Sequence, residues 1–212
     1  MKVQYLSYYL KENTPNYGGI EGTIKISNSR SISCGDSSNN FNLELPNHIG
    51  THIDFPKHFF DDGKTINDYS PDFWIFNSIG FVCGEINNLP NLIKDIPETI
   101  ELLIIKTGFG KERNKKTYWA NQPVISSKFA KILRLKFPKL RVFGFDMISL
   151  TSQLDKNEGK LAHQKFLGEY EILVLEDMNL SNLMTTPKQV IISPLQIDKA
   201  NGSQCNVLAI VK

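Results

Sequence analysis

The sequence predicts a mixed α/β fold, rich in strands and with few helices. Three observations predict it: six segments dense in β-branched and aliphatic residues, only two stretches with helical spacing, and no internal repeat or low-complexity tract. The strands are read at KVQYLSY from Lys2, ELLIIKT from Glu101, RVFGFDMI from Arg141, EILVLEDM from Glu171, QVIISPLQI from Gln189 and CNVLAIV from Cys205. A helix is expected at SSKFAKILRLKF from Ser126, with serine at the N-cap, Phe129, Ile132, Leu133 and Leu135 near helical spacing, and Pro138 closing it. A shorter helix is expected at KLAHQKFLG from Lys160, ended by Gly168. After residue 100 the order is strand, helix, strand, short helix and three strands, too few helices for a doubly wound sheet. Gly18, Gly19, Asn39, Asn40 and the NNLPN run from Asn87 read as loops inside one domain spanning residues 1–212. A chain of 212 residues with 41% hydrophobic content is long enough for one sizeable core.

Charge and composition narrow the function. The formal net charge is +2 and the lysines are scattered, which speaks against counterion-driven nucleic-acid binding and for a small-molecule partner. The opening MKVQYLSYYLKENTPNYGG lacks the cationic flank and apolar run of a signal peptide, and no apolar stretch approaches the roughly 20 residues of a membrane span. The expectation is a cytoplasmic protein with no membrane contact. Cys34, Cys83 and Cys205 are an odd number at wide spacing, expected to be reduced and without a role.

The chemistry concentrates in HIGTHIDFPKHFFDDGKTI, from His48 to Ile66, where three of the four histidines fall within eleven residues around an aspartate. A helix would put His48 and His52 one turn apart, as in the HExxH zinc motif. Gly50, Thr51, Ile53 and Pro56 make a poor helix interior, so a bent strand or loop is expected. In a straight strand His48 and His52 would stand about 13 Å apart, four steps of roughly 3.3 Å, too far to share an ion held at about 2.1 Å per ligand. The chain is therefore expected to fold back at Gly50, where the missing Cβ permits a tight turn. His52 and Asp54, two apart, leave an extended segment on the same face. A solitary histidine is more often a satisfied core or surface residue than a ligand, but this clustering reverses the odds. Imidazole and carboxylate without thiolate suit Zn²⁺, Mn²⁺ or Fe²⁺ in a catalytic rather than a closed structural site.

HIGTHIDFPKH reproduces the H-x-G-T-H-x-D-x-P-x-H motif of the metal-dependent cyclase family, whose members include bacterial kynurenine formamidases and whose relatives include isatin hydrolases. The resemblance extends through HFFDDGKTI, LSYYLKENTPNYGG, KTGFG from Lys106, GFDMIS from Gly144 and AHQKFLGEYEILVLEDMNLSNL from Ala162. It implies a swivelling β/β/α domain. It also implies that His48, His52 and Asp54 hold a first divalent ion, and that Asp54 bridges to a second ion completed by His163 and Glu176. His58 is then the catalytic histidine, and a homodimer or higher oligomer is implied. Zinc is the first expectation for the metal, with manganese or iron as alternatives.

The residues themselves agree in part. His163, the fourth histidine, falls on a position the family uses, and Glu176 follows a buried-looking apolar run where a charge needs a partner. His58, past Pro56 and outside the first ligand set, is placed for proton transfer. Asp146, at the end of RVFGFD, is balanced between a structural hydrogen-bonding role and one that orients a ligand. Thr51 is expected to bond the backbone at the turn. Phe59, Phe60, Tyr17, Phe73 and Trp74 are candidates for an apolar wall against an aromatic amide, with core packing expected for at least half of them. The resemblance thus points to an arylformamidase acting on N-formyl-L-kynurenine. The alternatives are a hydrolase of another cyclic amide, lactam or lactone, and a non-catalytic binding member of the family.

Overall fold

Long apolar runs form strands that are buried on both faces, and such strands belong in the middle of a sheet. The computed structural model, which describes residues 2–211, has three of them side by side. The strands in chain order are β1 (Lys2–Tyr5), β2 (Lys25–Arg30), β3 (Asn40–Glu44), β4 (His52–Asp54), β5 (Ile75–Phe76), β6 (Ile79–Cys83), β7 (Leu102–Lys106), β8 (Val142–Phe145), β9 (Leu173–Glu176), β10 (Gln189–Pro194) and β11 (Gly202–Val211). The helices are α1 (Leu89–Leu92), α2 (Thr117–Ala120), α3 (Lys128–Lys136) and α4 (Lys156–His163). Nine strands make one sheet in the order β5-β10-β11-β4-β9-β8-β7-β6, with β1 also on β11. β6 to β9 are parallel, whereas β4 is antiparallel to both β9 and β11. The mixed, strand-rich architecture expected from the sequence is the one observed.

Aromatic side chains lock the parallel half. Phe143 stacks on Phe166 with centroids 5.3 Å apart and lies 5.3 Å from Phe145, while Leu103, Val174 and Leu175 are fully buried beside them. Each such side chain contributes roughly 1.5–3 kcal/mol by leaving water.

Local expectations differ from the structure in five places. β2 and β3 form an isolated hairpin, exposed along its whole length, which the sequence reading missed although Phe41 and Leu43 alternate with polar residues in NFNLE; Asn40, read as loop, pairs with Arg30. NNLPN is not loop but two short helical turns, a 3₁₀ turn at Ile86–Asn88 and α1. The serine N-cap of α3 makes no capping bond; instead the Ser127 N–H donates to Glu158 at 2.6 Å, so α4 satisfies the start of α3. Leu135 lies 72% exposed, because α3 packs through Ala130 and Leu133. Gly168 does not end the second helix, which runs on as a π-type turn over Gln164–Glu169. A Cβ at Gly168 would stand 2.4 Å from the Phe60 ring, so this glycine serves a close approach.

Phe143→Ala removes the ring at the centre of this stack and is expected to lower unfolding free energy by about 3–5 kcal/mol, read as a shift of the denaturant midpoint.

Candidate functional site

The sheet register builds the site. In the antiparallel pair β4–β9, His52 stands directly opposite Glu176, so two residues 124 positions apart are cross-strand neighbours. Asp54, two along β4, shares the face of His52, and its carboxylate oxygen lies 3.5 Å from His52 Nε2. The chain turns back at Gly50, whose φ is +66°, as its sequence position required. That turn carries His48 to Asp54, where Nδ1 donates to the carboxylate at 2.8 Å. His48 lies against the backbone of β11: a Cβ at Gly202 would sit 2.1 Å from the imidazole, and only glycine leaves that space.

His163 arrives as the last residue of α4. Its Nε2 lies 3.4 Å from Asp54 and 3.5 Å from Glu176, and His52 Nε2 lies 3.4 Å from the other oxygen of Glu176. Both imidazoles are held the same way. His52 Nδ1–H donates to the Gly50 carbonyl at 2.7 Å and His163 Nδ1–H to the Gly159 carbonyl at 2.9 Å, so each ring directs Nε2 at the carboxylates. Glu176 is also braced, accepting the Leu150 N–H at 2.5 Å and the Ser149 hydroxyl at 3.2 Å. His58, on a 3₁₀ turn opened by Pro56, stacks on His48 at 3.9 Å, and Phe59 stacks on His163 at 4.5 Å.

Among the described residues, the only ion-pair partners of buried Asp54 and Glu176 are imidazoles. Buried carboxylates, imidazole nitrogens and no thiolate suit a divalent cation such as zinc or manganese. Two sets of donor atoms lie within 4.8 Å of one another: His48, Asp54 and His58, and His52, Asp54 and Glu176. Asp54 belongs to both, as a bridging ligand must. This partition differs from the expected one: His58 joins His48, His52 groups with Glu176, and His163 belongs to neither set.

Electrostatics follow from this crowding. Burial alone would raise Asp54, but hydrogen bonds from His163 and His48 and the nearby imidazoles hold it well below the usual carboxylate range. Burial opposes the charged form of His163, yet Asp54 and Glu176 outweigh it and raise it to about 10. His58 goes the other way, pushed down to about 4 by burial and the neighbouring histidines against the pull of Asp54. Burial and the neighbouring histidines thus favour the neutral form of the His58 imidazole.

The cavity over this cluster measures about 280 Å³ and is walled by Tyr17, Phe59 and Ile148. A larger groove of about 620 Å³ runs past Tyr69, Trp74 and Ile197, but it has no histidine and a single carboxylate, Asp198, so the chemistry belongs to the smaller one. Of the five aromatics expected as a wall, only Tyr17 and Phe59 reach the cavity. Phe60 packs on Gly168, and Phe73 and Trp74 pack with Tyr69. Asp146 proves structural: it accepts the N–H groups of Thr107 at 2.7 Å and Gly108 at 3.0 Å and the Thr107 hydroxyl at 2.6 Å, tying down the KTGFG turn. Thr51 does bond backbone, donating to the Asp177 carbonyl at 2.6 Å and accepting the Tyr8 N–H.

Sequence reasoning passed over the support behind Glu176. Asp177, buried with φ +50°, receives a forked contact from Arg113 at 2.8 and 2.7 Å and the Tyr118 hydroxyl at 2.5 Å, while Arg113 lies over the Tyr8 ring. The acidic pair after ILVL was the available signal, since a second buried carboxylate also demands a partner.

The opposed shifts fix a pH profile for chelator-treated protein. His163, raised to about 10, contributes stability that is complete below its ordinary 6.5 and lost as pH rises from there toward 10. His58, lowered to about 4, contributes stability that is complete above 6.5 and lost as pH falls toward 4. Across those two windows the melting temperature is expected to peak near pH 6.5. Adding metal at pH 8 is expected to release the His163 proton, read by calorimetry in two buffers of different ionisation enthalpy.

The chain is 28% identical over 181 residues to a kynurenine formamidase of Bacillus mycoides (strain KBAB4), covering 83% of this chain and 79% of that one. Its fold is similar to isatin hydrolase A from Labrenzia aggregata bound to benzyl benzoate, with TM-score 0.82, 19% identity and 99% and 93% of the two chains covered. It is also similar to a structure described as a potential metal-dependent hydrolase with cyclase activity, with TM-score 0.75, 18% identity and 98% and 96% covered. The Cyclase family, described as "Putative cyclase", matches residues 5–152, and the chain belongs to that family.

Proposed function

We propose that this protein is a metal-dependent hydrolase of small-molecule C–N amide bonds, an arylformamidase whose first candidate substrate is N-formyl-L-kynurenine. One observation carries the proposal: His52 and His163, each oriented by a backbone carbonyl, aim Nε2 at buried Asp54 and Glu176 beside a neutral His58. The likeness to kynurenine formamidases supports the substrate, and the isatin hydrolases support a cyclic amide or lactone as the second candidate. The residues that would hold the metal are His48, His52, Asp54, His163 and Glu176, Asp54 would serve both ions if two bind, and zinc would be preferred to manganese or iron. The working unit is one domain over residues 1–212, acting in the cytoplasm as a homodimer or higher homo-oligomer.

A divalent cation held there supplies Lewis acidity to a water and to the substrate carbonyl. The chain does the rest. His58 takes a proton from the water as its oxygen bonds the carbonyl carbon, and returns it to the nitrogen as the C–N bond breaks, leaving a carboxylic acid and an amine. Phe59, face to face with His163, gives the cavity an apolar wall beside the cluster.

The test is metal analysis joined to a hydrolysis screen over aryl formamides, isatin and lactones. One or two divalent ions per chain and activity abolished by chelation are expected; protein that stays metal-free after incubation with Zn²⁺ and Mn²⁺, or that binds amides and turns over none, contradicts the proposal. Asp54→Asn is expected to lose more metal than Glu176→Gln. His58→Ala is expected to lower kcat by about 10²–10⁴ with metal content and melting temperature near wild type.

A further inference from the structure

Tyr17 has a buried hydroxyl with no hydrogen-bond partner among the described residues. Leaving such a group unsatisfied is costly, and native structures keep few of them without cause. Its place suggests the cause, since Tyr17 lines the same cavity as His58 and Glu176.

The segment that delivers Tyr17 is held in several ways. The Asn16 side chain donates to the Ile20 carbonyl at 2.9 Å and to the Thr23 hydroxyl at 3.1 Å, and accepts the Ile20 N–H at 2.8 Å. Gly18 and Gly19 follow with φ of +94° and +69°, conformations that other residues adopt only under strain. Trp119 closes on the turn so tightly that a Cβ at Gly19 would lie 2.0 Å from its indole. A turn fixed by three side-chain hydrogen bonds, two left-handed glycines and an indole thus presents a donor that has nothing to donate to. Preorganised donors of this kind are most effective where negative charge develops during reaction.

Building on the hydrolase function proposed above, we propose that Tyr17 is a catalytic residue whose phenol O–H donates to the substrate carbonyl oxygen. As water attacks, the carbonyl π pair moves onto that oxygen, and the Tyr17 hydrogen bond strengthens; it relaxes when the C=O bond reforms and the amine leaves. Tyr17 keeps its proton throughout, and the proton that moves is the one carried by His58.

Tyr17→Phe in the metal-loaded protein tests this with two readouts that should move in different directions. Losing an oxyanion donor is expected to lower kcat by about 10²–10³ with KM within a few-fold of wild type. Removing an unsatisfied hydroxyl is expected to leave the melting temperature equal to or above wild type, with metal content unchanged. A kcat within threefold of wild type overturns the proposal, as does a rate loss accompanied by a lower melting temperature and lost metal, which would mark the hydroxyl as a structural donor to Glu176. A loss confined to KM also overturns it, since the contact would then favour the bound substrate and its transition state equally. Wild-type protein inactive on the whole screen removes the hydrolase function and this role together, whereas active wild type with equally active Tyr17→Phe removes only the role of Tyr17.

Discussion

Two carboxylates, Asp54 and Glu176, are buried side by side at 1% and 2% exposure in the middle of a sheet. Charge in that position is costly unless it is partnered. Much of the surrounding structure answers that constraint. His52 and His163 are oriented by backbone carbonyls, the Leu150 N–H and Ser149 hydroxyl brace Glu176, and the Gly50 turn returns His48 to Asp54. Against the effect of burial, the two carboxylates favour the charged form of the His163 imidazole, and hydrogen bonds from His163 and His48 in turn hold Asp54 low.

The support extends one layer further back. Asp177 takes a left-handed backbone conformation immediately after Glu176, a strain that a non-glycine residue keeps only when its surroundings over-determine it. Here they do. Arg113 and Tyr118 hold the Asp177 side chain, while the Thr51 hydroxyl holds its carbonyl and ties it to the HIGTHID turn. The two charged layers stay separate: the cation for Asp177 is an arginine, whereas no lysine or arginine among the described residues pairs with Asp54 or Glu176. Arginine cannot leave, but the proton on an imidazole can, and that difference suits the inner layer to a metal.

Family membership and the site's geometry rest on different grounds. The first comes from a match over residues 5–152, which stops short of His163 and Glu176. The second includes both, because α4 and β9 bring them to β4. The downstream part of the site is thus supported by the fold itself, through a shared register and a helix end.

By itself the sequence determined the features that depend on near neighbours. The buried strands β7, β8 and β9 were legible as unbroken apolar runs, Gly50 as the place where the chain had to turn, and the His and Asp spacing as a metal-type cluster. Features that depend on residues far apart in the chain were decided only by the tertiary structure. The exposed β2–β3 hairpin carries only the short alternation of Phe41 and Leu43 and buries neither, Gly202 matters only because the His48 ring lies on it, and Asp146 could be assigned only once the Thr107 turn was seen folded over it. The contacts His48–Asn201 and Thr51–Asp177 join residues 153 and 126 positions apart, and Tyr17 reveals an unpaired hydroxyl only when the walls of the cavity are in place. Local pattern records what a segment must bury, whereas the partner that receives a given side chain is set by sheet register and packing.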